Sequence, residues 1–193
     1  MKKIIFLILL ITTFTACSIN KSYNAKQNFI QKIERWRNFE LSGVIRITYN
    51  NLVFSKNIKI KRNPNSASID IFDAGAFGNN LNILFHAKID SVVHIKTVFP
   101  NQLKLNTDIK KINNALETLE NNTNTIIKTG KFIKNNLTVE FDQSFEISKV
   151  IYNSMTANLN YQNELSSISI LKDKKEIASI EVDKIKFFGV VND

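Results

Sequence analysis

The sequence predicts a mainly β protein of the α+β class, in which a strongly curved antiparallel sheet holds two helices. Three observations predict it. Apolar and polar residues alternate with period two over most of the chain, two stretches change to helical spacing, and clusters of Asn, Asp, Pro and Gly separate the alternating runs.

The chain opens with an export signal. Lys2 and Lys3 form a basic start, and the apolar run Ile4 to Ile11 is too short to span a bilayer. Thr15-Ala16-Cys17 then resembles a lipobox, the motif that directs cleavage and acylation of bacterial prolipoproteins, with Phe14 where the usual residue is leucine. Cys17 is the single cysteine, so it can form no internal disulfide, and acylation gives it a purpose. At roughly 0.8 kcal/mol per buried methylene, two or more acyl chains anchor a protein stably. The competing readings are a plain secretory signal with a stray cysteine and an uncleaved anchor helix. The expected organisation is a signal peptide over residues 1–16, an acylated cysteine and polar tether over 17–25, and one folded domain over 26–193.

From Ala25 to Phe39 the residues Phe29, Ile33 and Trp36 recur at helical spacing, with Ile30 broadening the stripe. The period then becomes two. Leu41, Gly43, Ile45, Ile47 and Tyr49 form one strand, Asn50-Asn51 a turn, and Leu52, Phe54, Ile58 and Ile60 the returning strand. Asn63-Pro64-Asn65 turns into Ala67, Ile69 and Ile71. The loop Asp73 to Asn80 leads to Leu81, Ile83 and Phe85, and a further strand runs from Val92 to Val98. Ile109, Ile112, Leu116 and Leu119 place a second helix over Asp108 to Glu120, with Thr107 as its expected cap and Asp108 at the positive end of its dipole. Alternation resumes at Leu137 to Phe141, at Phe145 and Ile147, and at Met155 to Tyr161. A last hairpin, Ser166 to Leu171 and Ile177 to Phe187, turns at Asp173-Lys174-Lys175.

A meander of roughly ten strands with one apolar face must cover that face. Two helices of these lengths can lie in its concavity but would scarcely fill it, so a partly empty apolar pocket is expected. The 14 phenylalanines would line that pocket or fill a plain core.

Composition removes other functions from consideration. The formal charge of +9 is spread over many segments of a chain rich in Lys, Ile and Asn, and the basic residues do not gather with aromatics into a nucleic-acid module. No metal-ligand spacing accompanies His86 and His94, no serine lies in a GxSxG setting, and no glycine-rich phosphate loop occurs. The expectation is a protein that is not an enzyme and uses no cofactor, metal or nucleic acid.

The order of parts resembles the LolB family. The resemblance rests on the lipobox, the tether, the helix with Trp36, the stretch Leu41-Ser42-Gly43-Val44-Ile45-Arg46-Ile47, a second strand with Phe54, and a third strand ending in a Gly-rich loop. It is clearest from Trp36 to about Phe85. LolB proteins are outer-membrane lipoproteins that receive other lipoproteins from the periplasmic carrier LolA. The resemblance implies an incomplete antiparallel β-barrel, a half-barrel wrapped around helices, that encloses an apolar cavity for acyl chains. It implies a LolA-like carrier as partner, transfer without nucleotide or covalent chemistry, and a monomer facing the periplasm from the outer membrane. Ser18 after the cysteine is compatible with that location. In the family a protruding loop between the third and fourth strands bears an exposed apolar residue before a glycine, and Ala76-Phe77-Gly78 occupies that place. Phe77 is thus the expected membrane-insertion residue, with a side chain tucked back onto the sheet as the competing reading.

The candidate cavity residues are those of inward alternation, Ile45, Ile47, Phe54, Ile58, Ile69, Ile71, Ile83 and Phe85, with Trp36 and Ile112 from the helices. A register error of one residue would exchange the two faces. The alternative function, of a different class, is an outer-membrane lipoprotein that serves as a structural or assembly partner through a sheet edge or face.

Overall fold

A computed structural model describes residues 24–49, 52–74, 81–97 and 108–189. Residues 24–34 are helical (α1) and pass through a 3-10 turn at Arg35–Arg37 into the sheet. The strands are β1 (Phe39–Tyr49), β2 (Leu52–Asn63), β3 (Ser66–Ala74), β4 (Leu81–Ile89) and β5 (Val93–Thr97), followed by α2 (Ile109–Asn121) and α3 (Thr123–Thr129). Then come β6 (Lys131–Lys134), β7 (Leu137–Phe141), β8 (Ile147–Tyr152), β9 (Met155–Tyr161), β10 (Leu165–Lys172) and β11 (Lys175–Phe187). All pair antiparallel in one sheet of order β5-β4-β3-β2-β1-β11-β10-β9-β8-β7-β6. The edge strands β5 and β6 do not pair with each other, so the sheet stays open as an incomplete barrel.

The expected class holds, with corrections of detail. Among the described residues there are eleven strands rather than about ten and three helices rather than two. In α3 most residues are β-branched, which disfavours helix locally; burial of Ile126 and Thr123 offsets this, and Gly130 at φ 68 ends the turn. Four-residue β6 is too short to display an alternation. The helix expected to reach Phe39 yields earlier, because Phe39 pairs with both Arg62 and Phe187 in the sheet. Asp108 caps α2: its side chain accepts from the Lys111 amide at 2.8 Å. Phe145 is not in a strand. It sits at φ 63 in a turn where the Asp142 carboxylate accepts from the Ser144 and Glu146 amides.

Register shifts bend the sheet at several strand pairs, including β1 with β11 and β3 with β4. At Gly43 a Cβ would stand 2.0 Å from the Glu181 carbonyl oxygen, so only glycine fits.

Two apolar clusters follow. In one, Phe29 and Ile33 of α1, Leu116 and Leu119 of α2, and Ile126 of α3 pack on Phe132, Val139, Phe141 and Ile147. Phe29 meets Phe141 and Phe145 edge to face, with centroids 5.2 and 6.0 Å apart. The other cluster centres on Leu41, Ile45, Ile58, Leu165, Ile180 and Ile185. Trp36 packs against both and makes edge contacts with Phe39 and Phe187.

Candidate functional site

Cross-strand pairing decides which residues share a face. One row runs Thr97, Phe85, Ile71, Ile58, Gly43 and Val182; the next runs Ile95, Ala87, Ile69, Ile60, Leu41 and Ile185. A third passes from Phe54 through Ile47, Ala178, Ile170 and Ala157 to Val150. The inner face is therefore apolar across the sheet. The shared apolar cluster of the three helices lies on the half formed by β6 to β9, while α2 is also tied to the β2–β3 turn through Asn113 and to the β4–β5 turn through Ile109. On the half formed by β1 to β4, the cluster draws only on strands and on Trp36, among the described residues.

The candidate residues fall into four places. Ile45 and Ile58 are buried. Trp36, Ile47, Ile69 and Ile71 pack partly buried around them, and Phe85 and Ile112 are half-buried. Phe54 ends its row at the rim of the sheet and is 47% exposed. Ile83 lies elsewhere: after Ile71 pairs with Phe85, the register shifts and Ile83 pairs with Phe72. Phe72 pairs with Asn57, and Asn57 with Val44, so this row belongs to the opposite face. The bulge at Leu84 reverses the alternation that predicted Ile83 to point inward, and its side chain is 54% exposed. Cys17, Phe77, Thr107 and the Asn50-Asn51 turn lie outside the described residues.

Charged groups mark the borders of this apolar face. Lys56 pairs with Ile45 across the sheet and therefore shares the inner face, where its Nζ lies 2.6 Å from Asp73 Oδ1. At the other end Arg62, two residues beyond Ile60, donates to Asn113 Oδ1 at 2.9 Å, and Asn113 donates to the Pro64 carbonyl at 2.8 Å. Burial, with the charge of Arg37 nearby, pushes the Arg62 pKa down to about 10, so the guanidinium stays charged at neutral pH. The same alternation that assigned the isoleucines also placed Lys56 and Arg62 inward; the signal was present in their spacing.

Further ion pairs fasten the helices. Glu146, 7% exposed, accepts from Lys32 and Arg35, and Arg35 lies 4.4 Å over the Phe187 ring. Arg37 Nη2 is 2.8 Å from both carboxylate oxygens of Glu120. Burial, and then the charge of Glu146, raises the pKa of Tyr161, whose hydroxyl donates to the Ile147 carbonyl at 3.0 Å.

The opposite face is polar. Glu40 meets Lys59 and Lys61, Arg46 meets Glu181, and Asp70 meets His86 Nδ1 at 2.5 Å. Among the described residues no group of three His, Cys, Asp or Glu side chains could hold a metal ion, and no helix is long and apolar enough to cross a membrane.

No family model matches the chain, and no curated protein matches it. Among solved structures it is similar to a LolA superfamily protein from Nitrosomonas europaea, at 10% identity and a TM-score of 0.44, over 85% of this chain and 94% of that one. A likeness at that level assigns neither a site nor a function to this chain.

Proposed function

We propose that this chain is an outer-membrane lipoprotein, anchored through Cys17, that receives acyl chains of other lipoproteins and helps insert them into the membrane, as the resemblance to LolB implies. The observation that supports this reading is the inner face of β1 to β4. Ile47, Ile69, Ile71 and Phe85 lie on one continuous apolar surface yet remain only partly buried. Apolar surface left open to water is unfavourable by about 25 cal/mol per Å², and an acyl chain laid along these rows would remove it.

The chemistry is transfer between apolar surfaces. The carrier would be LolA-like, the receiver would act as a monomer, and no nucleotide, metal or covalent step is required. Trp36 and the buried Ile45 and Ile58 would form the floor, Ile47, Ile69, Ile71, Phe85 and Ile112 the walls, and Phe54 the rim. Phe77 would enter the bilayer interface.

The test uses soluble protein without the anchor, mixed with an apolar fluorescent probe and, separately, with a carrier loaded with a lipoprotein. Uptake of the probe, its displacement by a fatty acyl ligand, and transfer of the lipoprotein are expected. Failure of both binding and transfer would overturn the proposal.

A further inference from the structure

A second concavity lies away from the surface assigned to acyl chains. One face of α2, formed by Lys111, Asn114, Ala115 and Thr118 at spacings of three and four residues, stands across a groove from β6 to β8. On the sheet side Leu137 pairs with Lys134 on one flank and with Tyr152 on the other, and Phe132 lies in the next inward row. The groove encloses about 420 Å³, within the range of roughly 300–1,000 Å³ usual for small-molecule sites. None of the candidate cavity residues lines it.

The groove is apolar beneath and cationic at its borders. Phe132 is buried and Leu137 half-buried, whereas Tyr152 is 59% exposed, an aromatic ring left open to water on the inner face. Two charged residues line the groove, Lys111 from the helix and Lys134 from the sheet, and no carboxylate does. Lys134 makes no ion pair with a described residue. Lys111 comes only within 3.9 Å of Asp108 Oδ2, while Oδ1 of the same carboxylate is engaged in capping the helix. The remaining polar lining can donate hydrogen bonds. The side-chain amides of Asn114 and Asn135 have no partner among the described residues, and Asn136 donates one amide hydrogen to Asn153 at 2.8 Å and keeps a second.

We propose that this groove binds one anionic lipid by its phosphate headgroup, with the phosphate oxygens on Lys111, Lys134 and the asparagine amides and the start of the acyl chain on Phe132, Leu137 and Tyr152. Charge complementarity identifies the head. Ammonium groups on opposite walls, with neutral donors beside them, suit a group that accepts from several sides and carries negative charge. The apolar floor identifies the tail, because a free phosphate would leave that surface wet. The site recognises a charge through residues that the acyl-chain surface of β1 to β4 does not use, so it stands independently of that reading.

The full chain in phosphatidylcholine nanodiscs is titrated with octyl phosphate, and two-dimensional amide spectra follow the side chains of Asn114 and Asn135. Saturable shifts at both are expected. Octyl glucoside, which has the tail without the charge, and inorganic phosphate, which has the charge without the tail, should each bind at least tenfold more weakly. Lys111→Gln combined with Lys134→Gln should weaken octyl phosphate by about tenfold; both side chains are exposed, and an unchanged spectrum elsewhere confirms the fold. The absence of saturable shifts overturns the inference. So does octyl glucoside binding as tightly, which would make the groove merely apolar, or inorganic phosphate binding as tightly, which would make it an ion site. Undiminished binding by the double variant overturns it too. Ile71→Ala should leave the groove shifts unchanged, and a matching loss there would merge the two sites and overturn their separation. Failure of the apolar probe to bind, with the groove shifts intact, would fail the acyl-chain reading alone.

Discussion

Two single residues hold the sheet's shape by different physics. At Gly43 a side chain has no space, because the backbone oxygen facing it belongs to the bulged strand β11 and cannot give way as a flexible side chain would. Gly43→Ala should therefore destabilise the domain by about 3 kcal/mol, read as a lower midpoint in urea unfolding. Asp90 acts through charge. Its carboxylate accepts from the Val92 amide and meets Lys88, which together hold its pKa below the ordinary value, while its carbonyl accepts from the Ile109 amide and so ties this turn to α2. A depressed acid pKa adds stability above the ordinary value, and that increment is lost as pH falls through the folded one. Asp90→Asn should thus be less stable than the parent at neutral pH, with the gap closing below about pH 4 in a pH series of thermal melts. Neither role was legible in the sequence, since a glycine in a strand and an aspartate in a turn look alike wherever they occur.

At the scale of elements, α1 is the piece whose position matters most. Its stripe of Phe29, Ile33 and Trp36 was evident from spacing, but its docking partners, Phe141, Phe145 and Glu146, lie more than a hundred residues away. Phe29→Ala should cost about 3–5 kcal/mol, measured by denaturant unfolding, because the side chain is completely buried between α1 and the β7–β8 turn. Asp108→Ala should cost only about 1 kcal/mol in the same measurement, the usual worth of an N-cap. Long strands were readable because alternation survives any partner. The short elements α3 and β6 were not, because their local preferences are weak or opposed and only burial of Ile126 and Phe132 decides them.

For the whole molecule, the proposed function depends on which face of the sheet a residue meets. Ile71→Ala on the inner face should weaken binding of an apolar probe by about tenfold, whereas Ile83→Ala on the outer face should leave it unchanged; probe titration of both folded variants checks this. From sequence those two isoleucines are equivalent, each at an alternating apolar position. Alternation, helical spacing and turn residues are local, so the amino-acid order alone determined that most of this chain is antiparallel strand with amphipathic helices. The order of the eleven described strands and the bulge that turns Ile83 outward depend on pairings between distant segments. The shared apolar cluster of the three helices on one half of the sheet depends on them too. Only the tertiary structure decided those, because backbone hydrogen bonding and burial are settled among all segments at once.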